Sequence, residues 1–431
     1  MADPLTSASR FLIGWRGHRR YTPDRHADGD GGTAVSGNRV LVAGASIAGP
    51  ALAHCLRRRG AEVTVVERAP GLRPGGQAVD ARGVAKDVIR RMGLEAPVRA
   101  ARTETAGAHT VDADGNVLET FSAEDDGGDG YIADIEILRG DLSQVIYDDT
   151  REHVEYLFGD RIAELAQDAD GVDVTCASGA RRRFDLVIGA DGLHSALRGM
   201  VFGPRERFVR HLGMVLAFYS VPNEFGIDRW MIDYQHEGRS AGLRPLKDPT
   251  RAMAMLSFPA DGFDVDHRDI DAQKDLLRAR MAGLGWRTEE ILAHLDDTPD
   301  FYLDQVAQVV LDRWSSGRVG LIGDAAFCSS PMSGGGTGLA LVGAYLLAGE
   351  LAAAGWDPEA GFAGYETRMR SFVEANQEIG RLHVQSREAG ADAEPDMEAL
   401  MPLIERALNG VELPDYAGVP DSGARVSPAA P

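Results

Sequence analysis

One strand-turn-helix near the start of the chain constrains the fold more than any other feature. Arg39 to Gly49 reads R-V-L-V-A-G-A-S-I-A-G, an apolar strand that runs into a Gly-rich turn and opens an Ala/Leu helix. Gly44 permits the tight turn, Gly49 lets the helix pack closely on the sheet, and the amides of Ser46, Ile47 and Ala48 at the helix N-terminus face a pyrophosphate. A second strand, Ala61 to Glu67, ends in an acid 23 residues after Gly44, where a carboxylate can bind both ribose hydroxyls of an adenosine; Arg68 follows it directly. The middle turn position is Ser46 instead of glycine, and the strand before, the helix after and the acid beyond supply the context that a degenerate G-x-S-x-x-G requires. This much specifies an α/β fold and a dinucleotide, not which dinucleotide.

Two later loops complete the pattern. Phe184 to Arg198 reads F-D-L-V-I-G-A-D-G-L-H-S-A-L-R, a buried strand that breaks at Asp191-Gly192 and restarts as a helix. Arg318 to Ala344 reads R-V-G-L-I-G-D-A-A-F-C-S-S-P-M-S-G-G-G-T-G-L-A-L-V-G-A, a strand that ends in Gly323-Asp324, then a Pro/Gly loop and a long helix. Two such turns can close round the far half of a large dinucleotide. With all three motifs in this order, the chain resembles the single-component FAD monooxygenases, the group of para-hydroxybenzoate hydroxylase, aromatic polyketide hydroxylases and tetracycline-inactivating oxygenases, over roughly residues 38 to 375.

The resemblance implies a Rossmann-like FAD-binding domain, a parallel sheet with helices, interleaved with a mostly antiparallel β substrate domain and followed by C-terminal helices. It implies that Asp191, Gly192, Ser195 and Arg198 touch FAD and incoming NAD(P)H. It implies that Asp324 holds the ribityl chain and that the loop from Pro331 through Gly334, Gly336, Thr337 and Gly338 meets the flavin ring. Amides of a glycine-rich stretch leading into a helix can stabilise negative charge on a reduced flavin. Glu136 to Leu142 looks like the E-x-x-R-x-x-L segment of the group, which carries over Arg139, and Gly75 to Arg82 looks like its mobile loop, which carries over Asp80 and Arg82. Three positions depart from the pattern: Phe327 stands for the usual His, Gly338 for Asn and Gly343 for Asp.

Composition adds bounds. A chain of 431 residues with 44 % hydrophobic content exceeds one core and predicts about two or three domains. The formal net charge of −21 argues against nucleic acid and anionic membrane surfaces as partners, since both draw on clustered Lys and Arg. Cys55, Cys176 and Cys328 are odd in number and lack metal spacing, so a reducing, cytoplasmic compartment and no metal are expected. No apolar run reaches transmembrane length without glycines, and Leu339 to Leu351 reads as a buried helix.

Residues 1–37 are rich in Arg, Asp and Gly and read as a disordered extension. The FAD domain is expected over 38–204 with 305–355, substrate-domain strands being inserted around 105–135. Residues 205–304 read as the substrate domain, with strands at Leu216 to Val221, Arg229 to Gln235, Ser240 to Leu246 and Ala252 to Phe258 and helical periodicity over 271–296. C-terminal helices are expected over 356–412 and a loose tail over 413–431.

No second Gly-rich strand-turn-helix is present for a stably bound nicotinamide, and no CxxC for a disulfide shuttle. The resemblance therefore implies that transient NAD(P)H reduces FAD, that O₂ adds to give a flavin C4a-hydroperoxide, and that one oxygen reaches a small aromatic or polyketide-like substrate. Hydroxylation leads and Baeyer-Villiger insertion stands beside it, with a role in secondary metabolism or antibiotic modification. Tyr234, His236 and Arg244 are the candidates to assist a phenol. Phe218, Trp230, Met231, Phe258, Pro331 and Met332 are the candidates to wall a flat substrate. The sequence leaves monomer and homodimer open. Three alternatives stand beside this reading: a prenyl-chain reductase of the same fold, a halogenase, disfavoured because Gly285-Trp286-Arg287 does not match W-x-W-x-I-P, and an FAD-binding interaction module, opposed by the intact glycine run.

Overall fold

Val40, Leu41 and Val42 are apolar at consecutive positions because both faces of their strand are covered, as parallel sheets demand. That strand, Arg39–Ala43, pairs in parallel with Glu62–Glu67 on one side and Leu186–Gly189 on the other. The full order is Ser315–Ser316, Val319–Leu321, Leu186–Gly189, Arg39–Ala43, Glu62–Glu67, Glu155–Phe158, with only the first strand antiparallel. Since the chain leaves the central strand toward one side and returns on the other, a crevice opens at its C-terminal end. The computed structural model describes residues 38 to 416 apart from 125–127, 131, 267 and 390–396; the expected N-terminal extension and the stretch beyond 416 lie outside the described residues.

Glycine is required twice at that crevice. Gly44 has φ +110°, and a Cβ there would lie 2.4 Å from the carbonyl oxygen of Ala190; a Cβ at Gly49 would lie 1.9 Å from that of Gly44. Helix Ala48–Arg57 can therefore lie directly on the turn, and helix Gly336–Ala353 packs against it. This second helix is long and apolar enough to cross a membrane, but 83 % of it is buried inside the protein, so it is a core helix here.

The second sheet has seven strands in the order Tyr302–Val309, Val209–Pro222, Arg251–Pro259, Arg239–Pro245, Trp230–His236, Gly107–Val111, Val117–Ser122. All neighbours are antiparallel except Trp230–His236 with Gly107–Val111. Strand residues alternate between faces. Ala217, Tyr219, Tyr234, Leu243, Leu256 and Phe258 pack on helices Ile270–Met281 and Thr288–Ala293. The opposite face carries Phe218, Met231 and Arg244. A single helical stretch over 271–296 does not form, because Gly283, Gly285 and Trp286 all take positive φ and break it in two.

A small ladder, Ala78–Asp80 with Glu136–Leu138, and a three-stranded meander from Ile162 to Phe184 complete the β structure. Helices Pro358–Ala389 and Met397–Asn409 follow. Residues 413–416, expected to be loose, are instead packed down: Tyr345 donates its hydroxyl to the Pro414 carbonyl (2.7 Å) and Tyr416 bonds the Glu350 carboxylate (2.5 Å). Aromatic and proline residues in that stretch find partners on the core helix, which composition alone does not reveal. Gly49→Ala is expected to destabilise the protein by about 1–3 kcal/mol through overpacking at the turn; an unchanged urea midpoint would reject the close-approach role.

Candidate cofactor and substrate site

Glu67 ends its strand with the carboxylate folded back to the first turn: Oε2 accepts from the amide of Ala45 (2.8 Å) and Oε1 from that of Ala69 (2.9 Å). A carboxylate has about four lone-pair sites, so this one is oriented and still able to accept from ribose hydroxyls. Ile47, Ala48 and Gly49 are buried in the start of the helix, while Arg68 is exposed. Ser46 accepts from Arg139 Nη1 at 3.2 Å. Arg139 lies against Gly76, where a Cβ would come within 2.9 Å of its Nε. Burial, and secondarily the nearby Arg73, lowers the Arg139 pKa to about 10, leaving it a desolvated cation at neutral pH, suited to an anionic group.

Across the crevice, Asp191 works as a helix cap. It accepts from Ser195 Oγ (2.5 Å) and from the amide of Leu197 (3.1 Å), and Ser195 Oγ in turn accepts from the amide of Arg198. Arg198 is 1 % exposed and donates to the carbonyls of Leu193 (2.7 Å) and Ala325 (2.9 Å), fastening the Asp-Gly turn to the Gly-Asp loop. Arg198 thus serves the scaffold, not the surface of the crevice. Asp324 is deeply surrounded by protein, which raises its carboxyl pKa, yet its side chain retains accessible surface, so it lines a deep cleft.

The glycine run is held from behind. Ser330 takes φ +80°, strain for a residue with a Cβ, and Pro331 then opens a short 3₁₀ turn that ends at Gly334. A Cβ at Gly335 would come within 1.7 Å of Asn376 Oδ1, whereas one at Gly336 would meet nothing within 4 Å, so the run is pressed on one side and open on the other. Thr337 and Gly338 are buried in the first helical turn, whose amides have no partner within the helix. Arg82 pairs with Asp80 at 3.0 Å and reaches within 2.8 Å of a Cβ placed on Gly334.

These parts fit a flavin dinucleotide: a close-packed glycine turn at Gly44 and Gly49 that opens a helix N-terminus, an oriented acid at Glu67, a desolvated cation at Arg139, and first-turn amides beside an open strip at Gly336. Glu67, Asp324 and Arg139 would hold it, and Gly334 to Gly338 would border its ring. Among the described residues no cluster of His, Cys, Asp and Glu could hold a metal ion.

The substrate-side candidates separate by face. Arg244 is the ion-pair partner of the buried Glu136, Met231 packs with Ala108, Ile132 and Met255, and Phe218 stacks on Tyr302 at 6.2 Å. Met332 packs with Met214, Val306 and Val384, and the Trp230 indole stacks on His109 at 4.5 Å. Tyr234 and Phe258 lie in the helix-covered core, and His236 stacks on Tyr234 at 6.5 Å on that same side, away from Arg244. These three, and Trp230 on the same face one place before Met231, are corrected: a difference of one in strand position sends a side chain to the other face.

The FAD binding domain family matches residues 38–378 of this chain. A flavin-dependent monooxygenase of Legionella longbeachae is 36 % identical over 385 residues, covering 88 % of this chain and 98 % of the relative. The chain belongs to the flavin-dependent monooxygenases. An uncharacterized protein of Mycobacterium tuberculosis strain H37Rv is 46 % identical to the monooxygenase over 378 residues, 88 % of this chain and 99 % of the other. The crystal structure of the tetracycline destructase Tet(51) superposes with TM-score 0.80 at 37 % identity, over 88 % of the monooxygenase and 99 % of that chain. FAD is therefore its cofactor, as the three motifs imply.

Two site features of the monooxygenase escaped the sequence. Tyr302 is 45 % exposed yet so enclosed that burial raises its phenol pKa, with Asp304, Cys328 and Asp324 raising it further and Arg73 opposing; it lines the cleft near Asp324. A cavity of about 410 Å³ borders the Asp-Gly turn, lined by His194, Arg205, His211, Arg268 and Asp304 among others, with His194 Nε2 2.6 Å from Asp304 Oδ2. Neither follows a spacing rule, because each is assembled from distant strands and loops. Glu67→Ala is expected to raise the FAD dissociation constant about tenfold or more, by loss of charge-assisted hydrogen bonds of ~1.5–3 kcal/mol. Asp324→Ala should likewise lower flavin content on purification; full occupancy in either variant would sink the assigned role.

Proposed function

We propose that this monooxygenase takes electrons from NAD(P)H and oxygen from O₂ to hydroxylate a small aromatic or polyketide-like molecule, in secondary metabolism or antibiotic modification. The observation that carries the reading is the meeting of the glycine run with the floor of the antiparallel sheet, through Arg82 at Gly334, Asp80, Glu136 and Arg244. The similarity to a tetracycline destructase supports a polycyclic substrate. When bound, FAD supplies the redox chemistry and the activation of O₂. Arg139 neutralises phosphate charge, the first-turn amides after Gly335 favour negative charge on the ring beside them, and Phe218, Met231 and Met332 keep water from the reacting face.

The cavity of about 410 Å³ would seat the phosphates of the reductant. Burial chiefly, and then the neighbouring Arg205, lowers the His211 pKa against the opposing Asp304, and Arg205 and Arg268 bring positive charge to the cavity wall. The buried thiols of Cys55, Cys176 and Cys328 are unpaired, which suits the reducing cytoplasm we propose as its compartment.

The deciding experiment is reduction of the FAD-loaded protein by NADH or NADPH, followed by reaction with ¹⁸O₂ and a panel of phenols and tetracyclines. The expected result is a product carrying one labelled oxygen, with faster flavin reduction when substrate is present. Unlabelled product, or reduction with no oxygenated product from any panel member, would move the reading to a reductase. Arg205→Ala with Arg268→Ala is expected to raise the KM for the pyridine nucleotide about tenfold, given ~1.5–3 kcal/mol for hydrogen bonds to charged groups; an unchanged KM would remove the cavity from the reductant's path.

A further inference from the structure

Glu136 is 3 % exposed, and its carboxylate is filled with donors: Thr105 Oγ1 at 2.6 Å, Thr103 Oγ1, and Arg244 Nη2. Thr103 and Thr105 precede the strand Gly107–Val111, so the acid is fixed from the antiparallel sheet as well as from its own ladder. In that ladder Glu136 stands directly opposite Asp80. Opposed residues of an antiparallel pair share a face with Cβ atoms about 4.5–5.5 Å apart, so two carboxylates are side by side. Arg82 neutralises Asp80 and Arg244 neutralises Glu136.

Arg244 is far from satisfied by this arrangement. Its side chain is 11 % exposed, and a guanidinium offers five N–H groups in a planar fork. Nη2 bonds Glu136, Nε is buried with no acceptor, and Nη1 has no hydrogen-bond partner among the described residues. Its cross-strand neighbour in the ladder register is Met231, and Met253 is paired with it on the other side; neither thioether offers more than a weak acceptor. A guanidinium aimed by one carboxylate and left with unused donors, on the floor that faces the glycine run, is built to receive a further charged acceptor.

Resting on the reading of this floor as the substrate face, we infer that Arg244 anchors substrate through an anionic oxygen, a carboxylate, phenolate or enolate on an aromatic ring system. Glu136 is the positioning residue that aims the guanidinium. The substrates selected are thereby acidic aromatics, and neutral isosteres are disfavoured because they meet the remaining N–H groups with a weaker, uncharged acceptor.

The test is isothermal titration of the FAD-loaded protein with 1-hydroxy-2-naphthoate and its neutral amide. The wild type should bind the acid about tenfold more tightly than the amide, the scale of one charge-assisted hydrogen bond. Arg244→Lys keeps a cation beside Glu136 but lacks the fork, and should erase most of that preference with FAD content and melting temperature unchanged. Glu136→Gln should reduce the preference while leaving affinity for the amide alone. Equal binding of acid and amide by the wild type, or full preference retained in Arg244→Lys, would overturn the assignment. Because no turnover is needed, the outcomes separate: a lost preference in Arg244→Lys without any oxygenated product in the wild type keeps the anchor and rejects the hydroxylase, and the reverse result does the opposite.

Discussion

Everything in the cofactor half of this molecule depends on the backbone contact between Gly44, Gly49 and Ala190. The Gly44 amide donates to the Val66 carbonyl and the Ala190 amide to the Ala43 carbonyl, so the turn is inlaid between its two neighbouring strands. With no Cβ at Gly44 or Gly49, the helix Ala48–Arg57 settles onto the strand end at a fixed height. Its N-terminus then opens between Glu67 on one strand and Asp191 on the other, and the helix Gly336–Ala353 packs on its flank. Position of the amides, the ribose acid and the glycine run all follow from that one approach.

A second constraint couples the other two loops. Burying a guanidinium is costly unless donors are met, and Arg198 spends Nη1 and Nη2 on main-chain carbonyls, one from each loop. The Asp-Gly turn and the Gly-Asp loop are thereby one mechanical unit, although 133 positions separate Asp191 from Asp324. The Glu136–Arg244 pair does the same between the small ladder beside the cofactor half and the substrate floor.

The cofactor half was legible in the sequence because its determinants are local. Glycine spacing, a buried apolar strand and an acid at the end of the next strand are short-range facts, and each loop carries its own. The substrate floor was less legible. Strand positions followed from turn residues and β-branched or aromatic runs, but the faces did not: Phe218 and Tyr219, or Met231 and Tyr234, are all apolar, because the sheet is covered on both sides and the usual polar alternation is absent. Phe258, Tyr234 and His236 therefore fell on the helix-covered side. Tyr302 and the Asp80–Glu136 register arise from pairings between distant segments, for which no spacing stands in. Arg244 was visible as a residue, whereas its dependence on Glu136 was not.

The packing of residues 413–416 bears on how the chain is made. The Arg59 guanidinium lies over the Tyr416 ring at 5.3 Å and over the Tyr345 ring at 5.4 Å, so the helix that carries the first glycine turn is closed by a side chain 357 positions later. Contacts of such sequence separation form late, since the loop must close before they reward it. On a ribosome, the nucleotide-binding helix emerges early and waits, its outer flank bare, until nearly the whole chain has been released. Synthesis, more than equilibrium packing, is then the stage at which this half of the protein is most exposed to chaperones and proteases.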